Sequence, residues 1–258
     1  MEKIRWIARQ LLSGRTGGWK VVACCAVLLW KVVACCAVLL LSLHAAGPSA
    51  QSLPPTLAPD QILMRMERRL EQQLRELESY RARRRYSAAH PLLGDSVYLL
   101  VQEQYKAPEE KKFKVLERGG MEQIQKRLFS RLLEVELETA SEAARRAVDI
   151  SRRNYRLTYS HYDVAKHAYV FEAEPRTANP YLFRGKVWIH AEDFAVQRIE
   201  GEPVKRHSAM VRQSRFVHEF AKFGEFWFPV HHTSTAKIYM FGQATLEIQY
   251  FDYEWKAR

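Results

Sequence analysis

The sequence predicts an α+β fold in which helices cover the concave face of a curved antiparallel sheet. Apolar residues recur every three or four positions in a segment that begins at Asp60, which indicates an amphipathic helix. From Tyr155 onward, short stretches of alternating polar and apolar residues follow one another, with Gly, Pro, Asn and Asp between them. Such a succession is typical of an antiparallel meander.

The first fifty residues differ in character from the rest of the chain, which has 258 residues and a formal net charge of +11. They contain all four cysteines and an eleven-residue block at 19–29 that is repeated identically at 30–40. A basic start, a long apolar run and an end of small residues are the layout of a secretory signal. We therefore expect residues 1–50 to be a signal peptide or signal anchor.

Export with cleavage is the favoured use of this segment. Residues 21–43 are long enough to span a membrane, but Lys31 lies near their middle and would cost about 2.5–3.5 kcal/mol there. We expect cleavage after Ala46 or Ala50 and residence in the periplasm or cell envelope. An inner-membrane anchor at 21–43 is the alternative.

A proline-rich linker at 51–59 leads into a single predicted domain at 60–258. The first helix is predicted from Asp60 to about Arg84, with Arg and Glu side chains opposite its apolar stripe. The stripe consists of Leu63, Met66, Leu70, Leu74 and Leu77.

The periodicity changes after Pro91, and Ser96–Tyr105 and Lys112–Glu117 are predicted to form a hairpin. A second helix follows, with an apolar stripe of Ile124, Leu128, Leu132 and Val135. Thr139-Ala-Ser-Glu142 matches a capping box and predicts a shorter helix that ends near Ile150. Two helices therefore interrupt the sheet.

Seven further strands are predicted, at 155–160, 167–174, 182–190, 193–200, 212–222, 226–239 and 243–253. Strict alternation places Phe183, Gly185, Val187 and Ile189 on one face of their strand and Trp188 on the other. The same apolar alternation recurs in Phe216, His218 and Phe220, and again in Leu246, Ile248 and Tyr250. The sheet is thus predicted to have one continuous apolar face.

Three motifs in the last third of the chain resemble a known family. They are Tyr181-Leu-Phe-Arg-Gly-Lys-Val-Trp-Ile-His, Asp193-Phe-Ala-Val-Gln-Arg-Ile-Glu-Gly and Phe226-Trp-Phe-Pro-Val. They are similar to a pattern of the periplasmic LolA/LolB/RseB group, the lipoprotein-sorting fold. The resemblance spans residues 60–255 and implies an incomplete β-barrel that holds helices against an apolar cavity for acyl chains. The basic run Arg81–Arg85 has no counterpart in that pattern.

Catalysis is not predicted, because the chain has no Gly-x-Ser-x-Gly, no phosphate-binding glycine loop and no His-Glu-x-x-His. His161, Asp163 and His167 offer metal-binding side chains, but a zinc site needs three or four convergent ligands. We interpret them as a surface cluster. The sequence therefore assigns no catalytic residue, no metal ligand and no cofactor.

The expected function is that of an exported carrier or binding protein that shields lipid or lipoprotein acyl chains. The candidate ligand-binding residues lie on the apolar parity of their strands and are Val187, Ile189, Phe216, Phe220, Leu246 and Ile248. The alternative is an envelope sensor or interaction module that binds another protein through the same sheet and helices.

Basic residues suggest a second kind of contact. Arg81, Arg83, Arg84 and Arg85 are candidates for peripheral contact with an anionic membrane, and solvated helix ends are the alternative interpretation. Nucleic acid is not an expected partner, because export removes the chain from it.

Overall fold

The computed structural model describes residues 57–91, 97–120, 122–138, 140–205, 211–240 and 242–258. The predicted signal segment and most of the predicted linker lie outside these residues. Among the helices in the described ranges, none combines the length and the apolar character needed to cross a membrane.

The described residues contain three helices, and the first is shorter than predicted. They are α1 (Pro59–Glu76), α2 (Glu122–Glu138) and α3 (Glu142–Arg146). The prediction of a helix to about Arg84 was wrong, because the backbone becomes extended at Leu77. From there, Ala82, Arg84 and Tyr86 are buried while their neighbours are exposed, which is the period of a strand. The start of α3 also differs from the prediction, since the Ser141 hydroxyl accepts the capping bond from the Ala144 amide.

Ten strands in the described ranges form one antiparallel sheet. They are β1 (Leu77–Ala89), β2 (Val97–Lys106), β3 (Glu110–Gly119), β4 (Tyr155–Asp163), β5 (Ala168–Pro175), β6 (Phe183–His190), β7 (Val196–Pro203), β8 (Val211–Phe223), β9 (Phe226–Ile238) and β10 (Gly242–Ala257). The predicted hairpin and the seven later strands are confirmed, with shifts of a few residues at their ends.

The strand order is β3-β2-β1-β10-β9-β8-β7-β6-β5-β4. The pairing of β1 with β10 joins the first and the last strand of the sheet, away from both edges. The two edges, β3 and β4, are connected by the segment that contains α2 and α3. Since these edges do not pair within the described residues, the sheet is an incomplete barrel, and its helices pack on the concave face.

Two separate hydrophobic clusters on the concave side contain the residues with which α1 and α2 pack on the sheet. The α1 cluster packs Ile62, Leu63 and Met66 against strands β4 to β7. The α2 cluster packs Phe129, together with the partly buried Leu132 and Leu133, against β1, β2 and β10. The helices therefore cover the two halves of the sheet independently, and β8 and β9 lie between those halves.

Close strand packing requires glycine at one place in the sheet. Gly185 on β6 faces Gly201 on β7 in register. A Cβ atom on Gly185 would lie 2.0 Å from the carbonyl oxygen of Glu200, which is far inside van der Waals contact. The backbones of β6 and β7 are therefore in direct contact at these two glycines.

Candidate functional site

The central part of the concave face, on β8 and β9, carries a mostly aromatic floor that neither helix buries completely. We call this floor, consisting of Phe216, His218, Phe220, His232 and Ser234, the groove floor. All five side chains are partly exposed. The register places Phe216 opposite Ser234, and His218 opposite His232. The α1 cluster contacts the phenylalanines from one side.

The six predicted ligand-binding residues fall into two environments. Val187 and Ile189 are 0% exposed and lie within the α1 cluster. Ile248 is 7% exposed and lies in the α2 cluster. Phe216, Phe220 and Leu246 are partly exposed. The two phenylalanines belong to the groove floor, and Leu246 borders it by pairing with Ser234 on β9. Their role in binding stays a prediction.

Aromatic rings cover much of the groove floor. The rings of His218 and Phe220 are stacked with centroids 4.6 Å apart, and those of Phe216 and His232 are stacked at 5.8 Å. The two imidazoles meet edge to face at 5.2 Å. Burial and the proximity of His232 lower the pKa of His218 to about 3, and burial and His231 lower the pKa of His232 to about 4. The groove floor is therefore uncharged at neutral pH.

A buried ion network lies beside the groove floor and was not predicted from the sequence. Arg84 on β1 is ion-paired with Glu103 on β2, and its Nη1 lies 3.1 Å from Glu136 Oε1 on α2. Lys111 on β3 lies 3.2 Å from Glu103 Oε1 and 2.5 Å from Glu136 Oε2. Burial opposes ionisation of Glu136, but the two cations outweigh it and lower its pKa to about 2. The network therefore fixes the C-terminal half of α2 to the sheet.

One sequence signal could have revealed this network. Glu103 shares the inward parity of Val97, Leu99, Val101 and Tyr105 on β2. A carboxylate on an otherwise apolar face needs a cation to compensate it. The partner cations come from other strands, so spacing along the chain could not identify them.

The basic run on β1 is divided between the two faces of the sheet. The prediction that Arg84 contacts a membrane was wrong, since its side chain is 4% exposed and ion-paired inside the domain. Arg81, Arg83 and Arg85 lie on the outer face. Arg81 and Arg83 form ion pairs with Glu254 and Asp252 of β10. Arg85 stacks over the Tyr98 ring at 4.5 Å.

The residues of the proposed surface cluster have partners of different kinds. His161 Nδ1 contacts the Ser160 hydroxyl, and Asp163 accepts a hydrogen bond from the Trp188 indole. His167 Nδ1 lies 2.6 Å from the Tyr162 hydroxyl. In the described ranges, no group of three metal-binding side chains comes together.

A small cavity extends the groove floor beneath α1. It has a volume of about 90 Å³ and is lined by Met66, Leu70 and Gln73 of α1, and by Ile150, Phe220 and Trp227 among others. The Gln73 side chain bridges the helix to the sheet, because it donates to the Trp227 carbonyl and accepts from the Trp227 amide. The floor therefore continues under a helix that is itself held by polar contacts.

No protein-family model and no curated protein matches the chain. Solved structures named for lipoprotein sorting resemble it. A domain from Vibrio parahaemolyticus named for outer membrane lipoprotein sorting shows 10% identity and a TM-score of 0.45, covering 76% of this chain and 93% of that one. A LolA superfamily protein from Nitrosomonas europaea shows 12% identity and a TM-score of 0.37, covering 78% and 94%.

A DUF1329 family protein from Desulfovibrio piger shows 8% identity and a TM-score of 0.44, covering 76% of this chain and 92% of that one. The structures from Vibrio parahaemolyticus and Nitrosomonas europaea carry the names of the group that the sequence motifs resemble. Identities of 8–12% and TM-scores below 0.5 are too low to assign a function to this chain.

Proposed function

We propose that this chain is an exported, noncatalytic carrier that shields the acyl chains of a lipid or lipoprotein in the periplasm or cell envelope. The observation that carries the proposal is the partly exposed groove floor between the α1 and α2 clusters. A packed core would bury these side chains, whereas a binding groove leaves them partly open in the absence of ligand.

The energetics favour an apolar ligand. Burying an acyl chain contributes about 0.8 kcal/mol per methylene, so several methylenes along the groove floor suffice for binding without a charged contact. The uncharged histidines add no electrostatic cost to this burial. Phe216, Phe220 and Leu246 are accessible as the structure stands, while Val187 and Ile189 would meet the ligand only after α1 moves away from them.

Ser234 offers a direct test because it is the smallest side chain of the groove floor and lies between two strands that carry candidate ligand-binding residues. Ser234→Leu would fill the floor between Phe216 and Leu246, its neighbours in register. Thr235→Leu is the matched control, since Thr235 is the next residue of the same strand and points to the opposite face. The assay is displacement of a fluorescent acyl probe from the purified protein, with urea unfolding to confirm that both variants are folded.

We expect Ser234→Leu to weaken probe binding at least several-fold, while Thr235→Leu binds like the wild type. Equal binding by all three proteins would contradict the groove. If wild-type protein binds no acyl probe, the alternative of an envelope interaction module that docks another protein on this face becomes the better account.

A further inference from the structure

The centre of the groove floor holds a polar atom for which the fold supplies no partner. The His218 ring stacks with Phe220 and, at 6.0 Å between centroids, with Tyr250. Its Nε2 atom is buried and forms no hydrogen bond with any residue in the part of the chain that the structure describes. A buried polar atom without a partner costs about 1–3 kcal/mol, so such atoms are normally satisfied by another group.

The charges beside this atom compensate one another. Arg84 and Lys111 are both paired with Glu103 and Glu136. Burial lowers the pKa of His218 to about 3, so its imidazole is neutral at physiological pH. A ligand carboxylate placed here would lose its water and gain no unpaired cation, which is unfavourable. An uncharged hydrogen-bonding group carries no such penalty.

We propose that His218 Nε2 donates a hydrogen bond to the carbonyl oxygen of an acyl ester whose chain lies in the groove. The inference rests on the proposed function and narrows its ligand class from acyl chains in general to esterified ones. A neutral imidazole carries one N–H, and the Nε2–H tautomer supplies the donor that an ester carbonyl requires. Phe220 and Tyr250 provide apolar contacts for the methylenes beside the ester.

The test compares three probes of similar chain length at neutral pH: methyl laurate, laurate and tridecane, each displacing the same fluorescent acyl probe. His218→Phe keeps a ring that can stack with Phe220 and Tyr250 but removes the nitrogen. His232→Phe is the matched control, because His232 lies on the same face only 5.2 Å away. His218→Gln is a second variant that restores a side-chain N–H donor.

We expect wild-type protein to prefer methyl laurate over laurate. His218→Phe should lower the ratio of methyl laurate affinity to tridecane affinity about 2- to 10-fold, the value of one hydrogen bond. His232→Phe should change the ratio of methyl laurate affinity to tridecane affinity less than His218→Phe does. His218→Gln should retain part of the preference for the ester.

Two results would overturn the assignment. One is an unchanged ratio of methyl laurate to tridecane affinity in His218→Phe, and the other is tighter binding of laurate than of the ester by the wild type. In both cases tridecane binding would leave the proposed function intact. Failure of the wild type to bind any of the three probes would instead refute the proposed function itself.

Discussion

Replacing Arg84 with methionine tests whether the buried ion network holds the sheet and α2 together. The Arg84 side chain is 4% exposed and its partner Glu103 is 0% exposed, so the variant leaves a buried carboxylate with Lys111 as its remaining ion-pair partner. Breaking a buried ion pair from one side costs about 3–5 kcal/mol. For a domain of this size, that loss lowers the Tm by roughly 6–20 °C.

Urea unfolding provides the assay, and Arg81→Met provides the control. Arg81 lies three residues away on the same strand, and its ion pair with Glu254 is 50% and 67% exposed, so its loss should cost at most about 1 kcal/mol. The double variant Arg84→Met/Glu103→Met should be more stable than Arg84→Met, because it leaves no unpaired charge and keeps Lys111 paired with Glu136. An Arg84→Met protein as stable as Arg81→Met would refute the reasoning.

Three other predictions follow, two from the structure and one from the sequence. The folded-state pKa values of His218 and His232 are about 3 and about 4, below the ordinary value of 6.5. Between these values the unfolded chain binds more protons than the folded one. The free energy of unfolding should therefore fall as the pH drops from 6.5 to 4. In pH-dependent urea titrations, His218→Phe should reduce this slope by up to about 1.4 kcal/mol per pH unit, and an unchanged slope would show that His218 is not buried neutral. Gly185→Ala should lower the free energy of unfolding by about 1–3 kcal/mol because of the Glu200 carbonyl, against about 0.5 kcal/mol for the exposed Lys186→Ala, and equal losses would contradict the close approach. N-terminal sequencing of the envelope fraction should give a chain that begins after Ala46 or Ala50, whereas an intact Met1 would support the anchor at 21–43.

Much of the sheet could be predicted because the alternation of residues within each strand indicates which of its faces is buried. Phe183, Val187 and Ile189 follow strict alternation, and the structure places all three in the α1 cluster. The same local rule placed His218 on the face of Phe216 and Phe220, where the structure has it. Alternation works here because one face of an antiparallel sheet is buried and its side chains repeat every two residues.

The end of the first helix was mispredicted for a physical reason. Its apolar stripe continues to Leu77, and the arginines that follow suit an exposed helix as well as a strand. The inward position of Arg84 is what the sequence does not indicate, since its burial depends on Glu103 and on Glu136 in other elements. Because the residues that compensate the charge of Arg84 lie in other elements, the sequence around Arg84 contains no pattern that predicts its burial.

The separation of the six candidate ligand-binding residues into buried and partly exposed ones could not be predicted from the sequence either. Val187 and Phe216 have the same apolar parity, yet one is fully buried and the other partly exposed. The difference arises from where α1 and α2 lie on the sheet, and that placement depends on contacts between residues distant in sequence.

The central claim is that the groove floor holds acyl chains, and native mass spectrometry of the protein purified from the envelope fraction tests it most directly. The account predicts a population of protein with copurified lipid, reduced in Ser234→Leu and retained in Thr235→Leu. Wild-type protein that carries no lipid and acquires none from added acyl esters, or a Ser234→Leu variant that retains the lipid in full, would contradict it.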